Sequence, residues 1–168
     1  MENNLFYKYI CDYVIGNIST FQLIEIAVEC ITAGMRGENL YILAGLSEYD
    51  DIIHFYKLTL DELKIQEPNK ENAGKYLIQY YCNELIENKI SPKIFLQNIK
   101  SKIYDKTGKD NKVVGDYFKI ENIITLFYEL SDIKKLNNKY IEEEIYLECY
   151  IVAKEYIEIN CKNNMMIK

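Results

Sequence analysis

Apolar residues recur at every third or fourth position along most of this sequence, and that spacing limits the chain to helices. The most apolar segment carries such a stripe at Phe21, Ile24, Val28 and Ile31. Residues three and four apart share one face of an α-helix, whereas a half-buried strand requires strict alternation, which is scarce here. The pattern therefore predicts an all-α protein, a single compact bundle of about six to eight helices.

Capping residues and glycines mark where the helices begin and end. Ser19 and Gln22 form a capping box ahead of the apolar stripe, and Gly34 is placed to end that helix in the left-handed conformation. The other predicted helices are Leu5–Ile15, Glu38–Leu46, Ser47–Leu63 with a break at Thr59, Lys70–Ile90, one starting at Pro92, one around Ile120–Tyr128, and Tyr140–Ile159. A polar loop is predicted at Thr107–Gly115, and residues 1–168 are expected to form one domain with a frayed tail at 161–168.

The helix that carries the apolar stripe is predicted to be central. Three further apolar residues widen its face, namely Leu23, Ala27 and Cys30. A helix that is apolar around much of its circumference must be covered on several sides. We therefore expect Phe21–Ile31 to pack against the helices that carry Phe127 and Cys149.

Cysteine usage and hydropathy favour a cytoplasmic protein without a membrane span. The five cysteines are odd in number and form no CxxC pair, which indicates buried reduced thiols. No uncharged apolar run approaches the roughly 20 residues of a membrane-spanning helix. The N-terminus lacks a basic segment before an apolar stretch, so no secretory signal is expected.

The sequence offers little catalytic chemistry. His54 is the one histidine, no HExxH, EF-hand or GxxxxGK[ST] motif occurs, and the cysteines are scattered. We therefore expect no catalytic residue, no metal ligand and no cofactor. One alternative stays open, a small helical enzyme that uses His54 with the carboxylates of Asp50 and Asp51.

Charge is unevenly distributed, although the whole chain is acidic with a net charge of −6. The segment Lys89–Lys119 holds eight lysines and three aspartates, with aromatic residues interleaved. A second alternative is therefore a nucleic-acid-binding regulator that uses this segment. The negative net charge and the absence of arginine from the segment argue against that alternative.

Tyrosines beside acidic residues form the candidate binding surfaces. Six of the sixteen tyrosines lie on or beside acidic segments, namely Tyr41, Tyr49, Tyr56, Tyr140, Tyr146 and Tyr150. Tyrosine is enriched at interfaces because it buries much area at low entropic cost. The first candidate surface comprises Tyr49, Asp50, Asp51, Asp61 and Glu62, and the second comprises Tyr140, Glu142, Glu143 and Glu144. Both predict a partner with a basic surface.

The middle of the chain resembles a group of small helical bacterial proteins. The segment Leu40–Leu46 is followed by an acidic helix, and a further helix begins after Pro68 with Asn-Lys-Glu. In this order the segments resemble immunity proteins of polymorphic and contact-dependent toxin systems, over residues 38 to 105. The resemblance implies an inhibitor that binds its cognate toxin, often a nuclease. It carries no catalytic residue over to this chain.

Overall fold

A computed structural model describes residues 2–107, 119–136 and 139–165, and this part of the chain is helical without a strand. Its helices are α1 Glu2–Ile15, α2 Gln22–Thr32, α3 Glu38–Ala44, α4 Ile52–Glu62, α5 Lys70–Ile86, α6 Pro92–Asn98, α7 Glu121–Leu136 and α8 Lys139–Met165. Helix α6 runs directly into a π-helical segment and a short α-helical turn, Ile99–Tyr104 and Asp105–Thr107. The predicted all-α class with six to eight helices is confirmed.

Two segments predicted from the sequence fall partly outside the described residues. The predicted loop Thr107–Gly115 is described only at Thr107, which ends the turn after α6. The backbone of α8 remains helical to Met165, through the start of the tail predicted at 161–168, and the last three residues lie outside the described part.

The chain forms two compact units, Met1–Ala73 and Gly74–Lys168, with the boundary inside α5. In the first unit, α2 packs against α1, α3 and α4. In the second, α8 packs against α7 and α6, and α6 also packs against α7. The expectation that residues 1–168 form a single domain stays a prediction.

The first unit is built around large apolar side chains and one buried tyrosine. The hydroxyl of Tyr56 is 2.7 Å from Glu67 Oε1 and donates a hydrogen bond to it. The Tyr56 ring also meets Tyr13 edge to face, with centroids 5.3 Å apart. A buried hydroxyl requires an acceptor, so Glu67 is what allows a tyrosine to fill this core position.

Helix α2 buries most deeply the edge of its apolar face that was predicted only to widen the stripe. Its buried residues are Leu23, Ile26, Ala27 and Cys30. Phe21 and Val28, both from the predicted core stripe, are 55% and 48% exposed. Ile24 and Ile31, the other two residues of the stripe, are partly buried and pack against the core, so the stripe lies at the edge of the core and not at its centre. The helices that carry Phe127 and Cys149 belong to the other unit. Small residues at Ala27 and Cys30 let neighbouring helices approach closely, which favours the observed face.

Several predicted helix ends are confirmed. Gly34 follows α2 at φ +105°, in the left-handed region that only glycine adopts without strain. The Ser19 backbone N–H donates to Gln22 Oε1 at 2.7 Å, which is one half of the predicted capping box. Helix α2 nevertheless begins at Gln22 with Phe21 at its N-cap position, so the predicted cap by the Ser19 side chain is wrong. Ser91 accepts from the Ile94 N–H ahead of α6.

The start and middle of α4 differ from the prediction. The helix begins at Ile52 with Asp51 as its N-cap, so Ser47 does not cap it. Thr59 lies buried inside the helix and its hydroxyl donates to the Phe55 carbonyl at 2.8 Å. A threonine bonded in this way to the preceding turn is satisfied within a continuous helix, so no break occurs.

Helices α5 and α6 follow the sequence pattern closely. The predicted apolar face of α5 is buried, comprising Ala73, Leu77, Tyr81 and Leu85. The same holds for Leu96, Ile99 and Ile103 along α6 and its π-helical extension. These helices therefore have one dominant apolar face, which leaves no choice about the side that is buried.

The two faces of α2 can be separated by mutation. Leu23→Ala should lower the free energy of unfolding by about 2–5 kcal/mol, because it removes buried methyl groups and leaves a cavity. Val28→Ala should change it by no more than about 0.5 kcal/mol, as is usual for a surface position. Urea denaturation measures both variants. Equal destabilisation by the two substitutions would contradict the assignment of the buried face.

Candidate partner-binding surfaces

The loop between α3 and α4 holds Tyr49 at the tip of a hydrogen-bonded turn. The Asp50 N–H donates to the Ser47 carbonyl at 3.2 Å. The Asp50 carboxylate accepts from both the N–H and the hydroxyl of Ser47, each at 2.7 Å. The Tyr49 side chain is 90% exposed, and Glu48 and Asp51 are exposed beside it in the sequence. The loop thus presents a phenol between carboxylates on a closed turn.

Two of these carboxylates also support the backbone. Asp51 accepts a hydrogen bond from the His54 N–H at 3.0 Å and so caps α4. The two bonds from Ser47 to Asp50 hold the pKa of Asp50 below its ordinary 3.8. Asp50 therefore stays ionised at neutral pH and keeps the turn closed.

Asp61 and Glu62 lie at the opposite end of α4 from Asp51. Ten residues of α-helix separate Asp51 from Asp61, a distance of about 15 Å along the axis. The first candidate surface is therefore two patches, one at each end of the helix. Asp61 is exposed at the second patch.

Glu62 has a structural role at the start of α3. Its two carboxylate oxygens accept from the Glu38 N–H at 2.7 Å and the Asn39 N–H at 3.0 Å. A Cβ placed on Gly37 would lie 2.6 Å from Glu62 Oε2, so a larger residue there would push the carboxylate out of its present position. Glu62 thus caps a helix that begins 24 residues before it in the sequence. Sequence spacing gives no signal for a cap at that separation.

The residues of the second candidate surface lie on two different sides of α8. Tyr140 is 84% exposed, and Glu143 and Glu144 are exposed as well. Glu142 is only part-exposed and accepts a hydrogen bond from the Tyr146 hydroxyl. At 100° per residue, Glu142 points about 200° around the helix from Tyr140, which explains the separation.

The same outward face of α8 carries two apolar residues that the sequence analysis missed. Leu147 is 65% exposed and Ile151 is 42% exposed. Tyr140, Glu144, Leu147 and Ile151 are spaced four, three and four residues apart, which places them on one side of the helix. This shared side could have been found from the sequence alone.

The six tyrosines beside acidic segments have three different environments. Tyr56 is in the core. Tyr146 bonds Glu142, and Tyr150 donates to Asn88 Oδ1 at 3.0 Å. The three that remain strongly exposed are Tyr41, Tyr49 and Tyr140.

Net charge separates the two units. The first unit has twelve Asp and Glu against five Lys and Arg, a net charge of −7. The second has fourteen acids against fifteen bases, a net charge of +1. The acidity of the chain therefore resides entirely in the first unit, which also carries Tyr49.

His54, the basis of the enzyme alternative, is exposed in the first turn of α4. Its ring meets Phe55 edge to face at 5.2 Å. Two cavities of about 180 and 170 Å³ lie in the second unit, and His54 lines neither of them. Within the described part of the chain, no three His, Cys, Asp or Glu side chains are placed to hold a metal ion. The enzyme alternative gains no support from this geometry.

The described lysines of the Lys89–Lys119 segment include several that are engaged within the protein. Lys89 pairs with Glu84 at 3.1 Å and Glu87 at 2.7 Å. Lys100 pairs with Asp105 and lies within 6 Å of three aromatic rings. Ammonium groups held in this way are poor phosphate ligands, so these two lysines add nothing to the nucleic-acid alternative. Residues 108–118 of the segment lie outside the described part.

Four of the five cysteines behave as predicted. Cys11, Cys30, Cys82 and Cys149 are free and buried. Burial raises the pKa to about 12 for Cys11, Cys82 and Cys149, and to about 11 for Cys30. These thiols stay protonated at neutral pH and are poor nucleophiles. The side chain of Cys161 lies outside the described residues.

Comparison of the chain with protein-family models, curated proteins and solved structures gives no match. The resemblance to immunity proteins therefore stays a prediction from the sequence. No helix in the described ranges combines the length and apolarity of a membrane-spanning segment.

The Glu62 cap predicts a coupling with Gly37. Gly37→Ala should lower the free energy of unfolding by about 1 kcal/mol, because the new methyl group displaces the capping carboxylate. In a Glu62→Ala background the same substitution should be neutral or stabilising, since the clash is gone and alanine restricts the unfolded chain. A double-mutant cycle by urea denaturation measures this coupling. Additive effects of the two substitutions would contradict the cap.

The turn below Tyr49 predicts a pH dependence. Because the pKa of Asp50 is lowered in the folded state, the bonds from Ser47 stabilise the turn above the unfolded value of 3.8 and are lost as pH falls through the lower folded value. Carboxylate titration by NMR should therefore place Asp50 below 3.8. Ser47→Ala removes the hydroxyl donor but keeps the backbone donor, so the pKa should rise part of the way back. An Asp50 that titrates at its ordinary value in the parent would rule out the closed turn.

Proposed function

We propose that this protein is a non-catalytic binding protein whose first unit covers a basic surface on another protein. Most concretely, it is an immunity protein that neutralises a bacterial toxin domain. One observation carries the proposal: Tyr49 is 90% exposed at the tip of a closed turn between carboxylates.

Rigidity makes this turn suited to binding. Asp50 ties the turn to Ser47 through two bonds of 2.7 Å, and Asp51 fixes its far end to α4. A loop already held in one conformation loses less entropy when a partner docks, which leaves more of the contact energy as affinity. An exposed tyrosine on such a loop is the kind of aromatic anchor that dominates measured interface energies.

Electrostatics supports a basic partner. The first unit has a net charge of −7, and carboxylates flank Tyr49. Complementary charge accelerates encounter and disfavours acidic proteins as partners. Nuclease toxins bind phosphate backbones through basic surfaces, so an acidic, tyrosine-bearing loop matches the surface that must be blocked.

The proposal predicts that Tyr49 dominates binding. If the gene directly upstream encodes a toxin domain, its product is co-expressed with this protein. Pull-down detects the complex and calorimetry measures its affinity. Tyr49→Ala should weaken binding by about 30-fold or more, the effect of losing a hot-spot residue, and should no longer protect cells from the toxin. Tyr140→Ala, at an equally exposed tyrosine of the second unit, is the matched control and should leave binding unchanged.

Two results would overturn the proposal. In the first, the upstream gene encodes a metabolic enzyme and its product forms no complex with this protein. The second is a complex that withstands Tyr49→Ala but is lost with Tyr140→Ala, which would move the binding surface to the second unit.

A further inference from the structure

The outward face of α8 is a continuous seam that no described helix covers. Its positions repeat at intervals of four and three residues over five turns, namely Tyr140, Glu144, Leu147, Ile151, Lys154 and Glu158. All six side chains are exposed, and the opposite face of the helix is buried through Ile145, Cys149, Val152 and Tyr156. Alternation of four and three is the spacing by which helices pair in coiled coils.

When a second copy of the seam runs in the opposite direction, its side chains are complementary to those of the first copy. In an antiparallel pair centred between Leu147 and Ile151, each of these two apolar residues meets the other from the second copy. The next layer on each side brings Glu144 to Lys154, and the outer layer brings Tyr140 to Glu158. Each polar layer thus pairs a donor with a carboxylate. A parallel pair would instead place Glu144 against its own copy and Lys154 against its own copy.

We propose that the occupant of this face is a second copy of the chain, with α8 packed antiparallel on α8. The net charges of the units agree with this assignment. The second unit has a net charge of +1, so two copies of it carry almost no mutual repulsion, whereas two copies of the first unit at −7 each repel. This pairing does not depend on the partner of the first unit.

One edge of the seam limits the strength of the pair. Glu148 is exposed beside Leu147, and its two copies face each other near the two-fold axis. Like charges in that position weaken the association. The dimer should therefore be reversible, with monomer and dimer exchanging as the concentration changes.

Analytical ultracentrifugation of the full chain over a concentration series tests the pairing. At about 100 µM the parent should sediment mainly at twice the 19.9-kDa chain mass, as a dimer Kd of about 10 µM or tighter requires. Leu147→Glu should abolish the dimer. Val28→Glu, at a half-exposed aliphatic residue of α2, is the matched control and should leave the dimer intact.

Charge reversal tests the antiparallel register. Glu144→Lys and Lys154→Glu should each raise the dimer Kd by at least about tenfold, because each sets like charges opposite one another in the seam. The double variant carrying both changes should recover the parent Kd. Glu148→Gln should lower the Kd.

Three outcomes would overturn the proposal. One is a parent chain that stays monomeric at about 100 µM. Another is a dimer broken by Val28→Glu and not by Leu147→Glu. The third is a double charge reversal no better than the single variants. None of these measurements involves a toxin, so failure of the dimer and failure of the proposed function are distinguished.

Discussion

The backbone N–H groups at the starts of α3 and α4 constrain how the first unit can use its acidic side chains. Every helix start leaves such groups without an intrahelical partner, and they must be satisfied from elsewhere. Asp51 supplies the acceptor for α4 and Glu62 supplies it for α3. Asp50 does the same for the turn between them. Three of the four carboxylates in the first candidate surface therefore hold the backbone of the helices and turn around Tyr49.

Burial makes a similar selection among the tyrosines. A phenol can fill a core position when its hydroxyl finds an acceptor, as Tyr56 does at Glu67. It can also lie along a helix surface and bond a neighbour, as Tyr146 does. Of the three tyrosines that remain exposed, Tyr49 and Tyr140 are exposed to 90% and 84%, and Tyr41 to only 47%. Exposed aromatic area without a covering element is what a partner can bury, so these two residues focus the proposals on one loop and one helix face.

The two units differ most in charge. The net charge of −7 on the first unit underlies the proposal of a basic partner, and the net charge of +1 on the second unit underlies the proposal that its copies associate. The two surfaces predicted as alternatives for one partner thus suit different partners. Within the described basic segment, Lys89 and Lys100 are held in ion pairs with Glu84, Glu87 and Asp105 of the same unit.

The sequence by itself determined the helical class, most helix boundaries and the buried faces of α5 and α6. Those features depend on residues close together in the chain, where spacing, caps and glycines act directly. The tertiary structure alone decided which edge of the broad apolar face of α2 is most deeply buried, because the whole face satisfies the helical period and only the neighbouring helices distinguish its edges. It also decided that Glu62 caps a helix that begins 24 residues earlier, and which side of α8 is buried. Packing of the helices determines which residues distant in sequence come into contact, and it determines how each helix is oriented about its own axis. The local sequence pattern does not specify either.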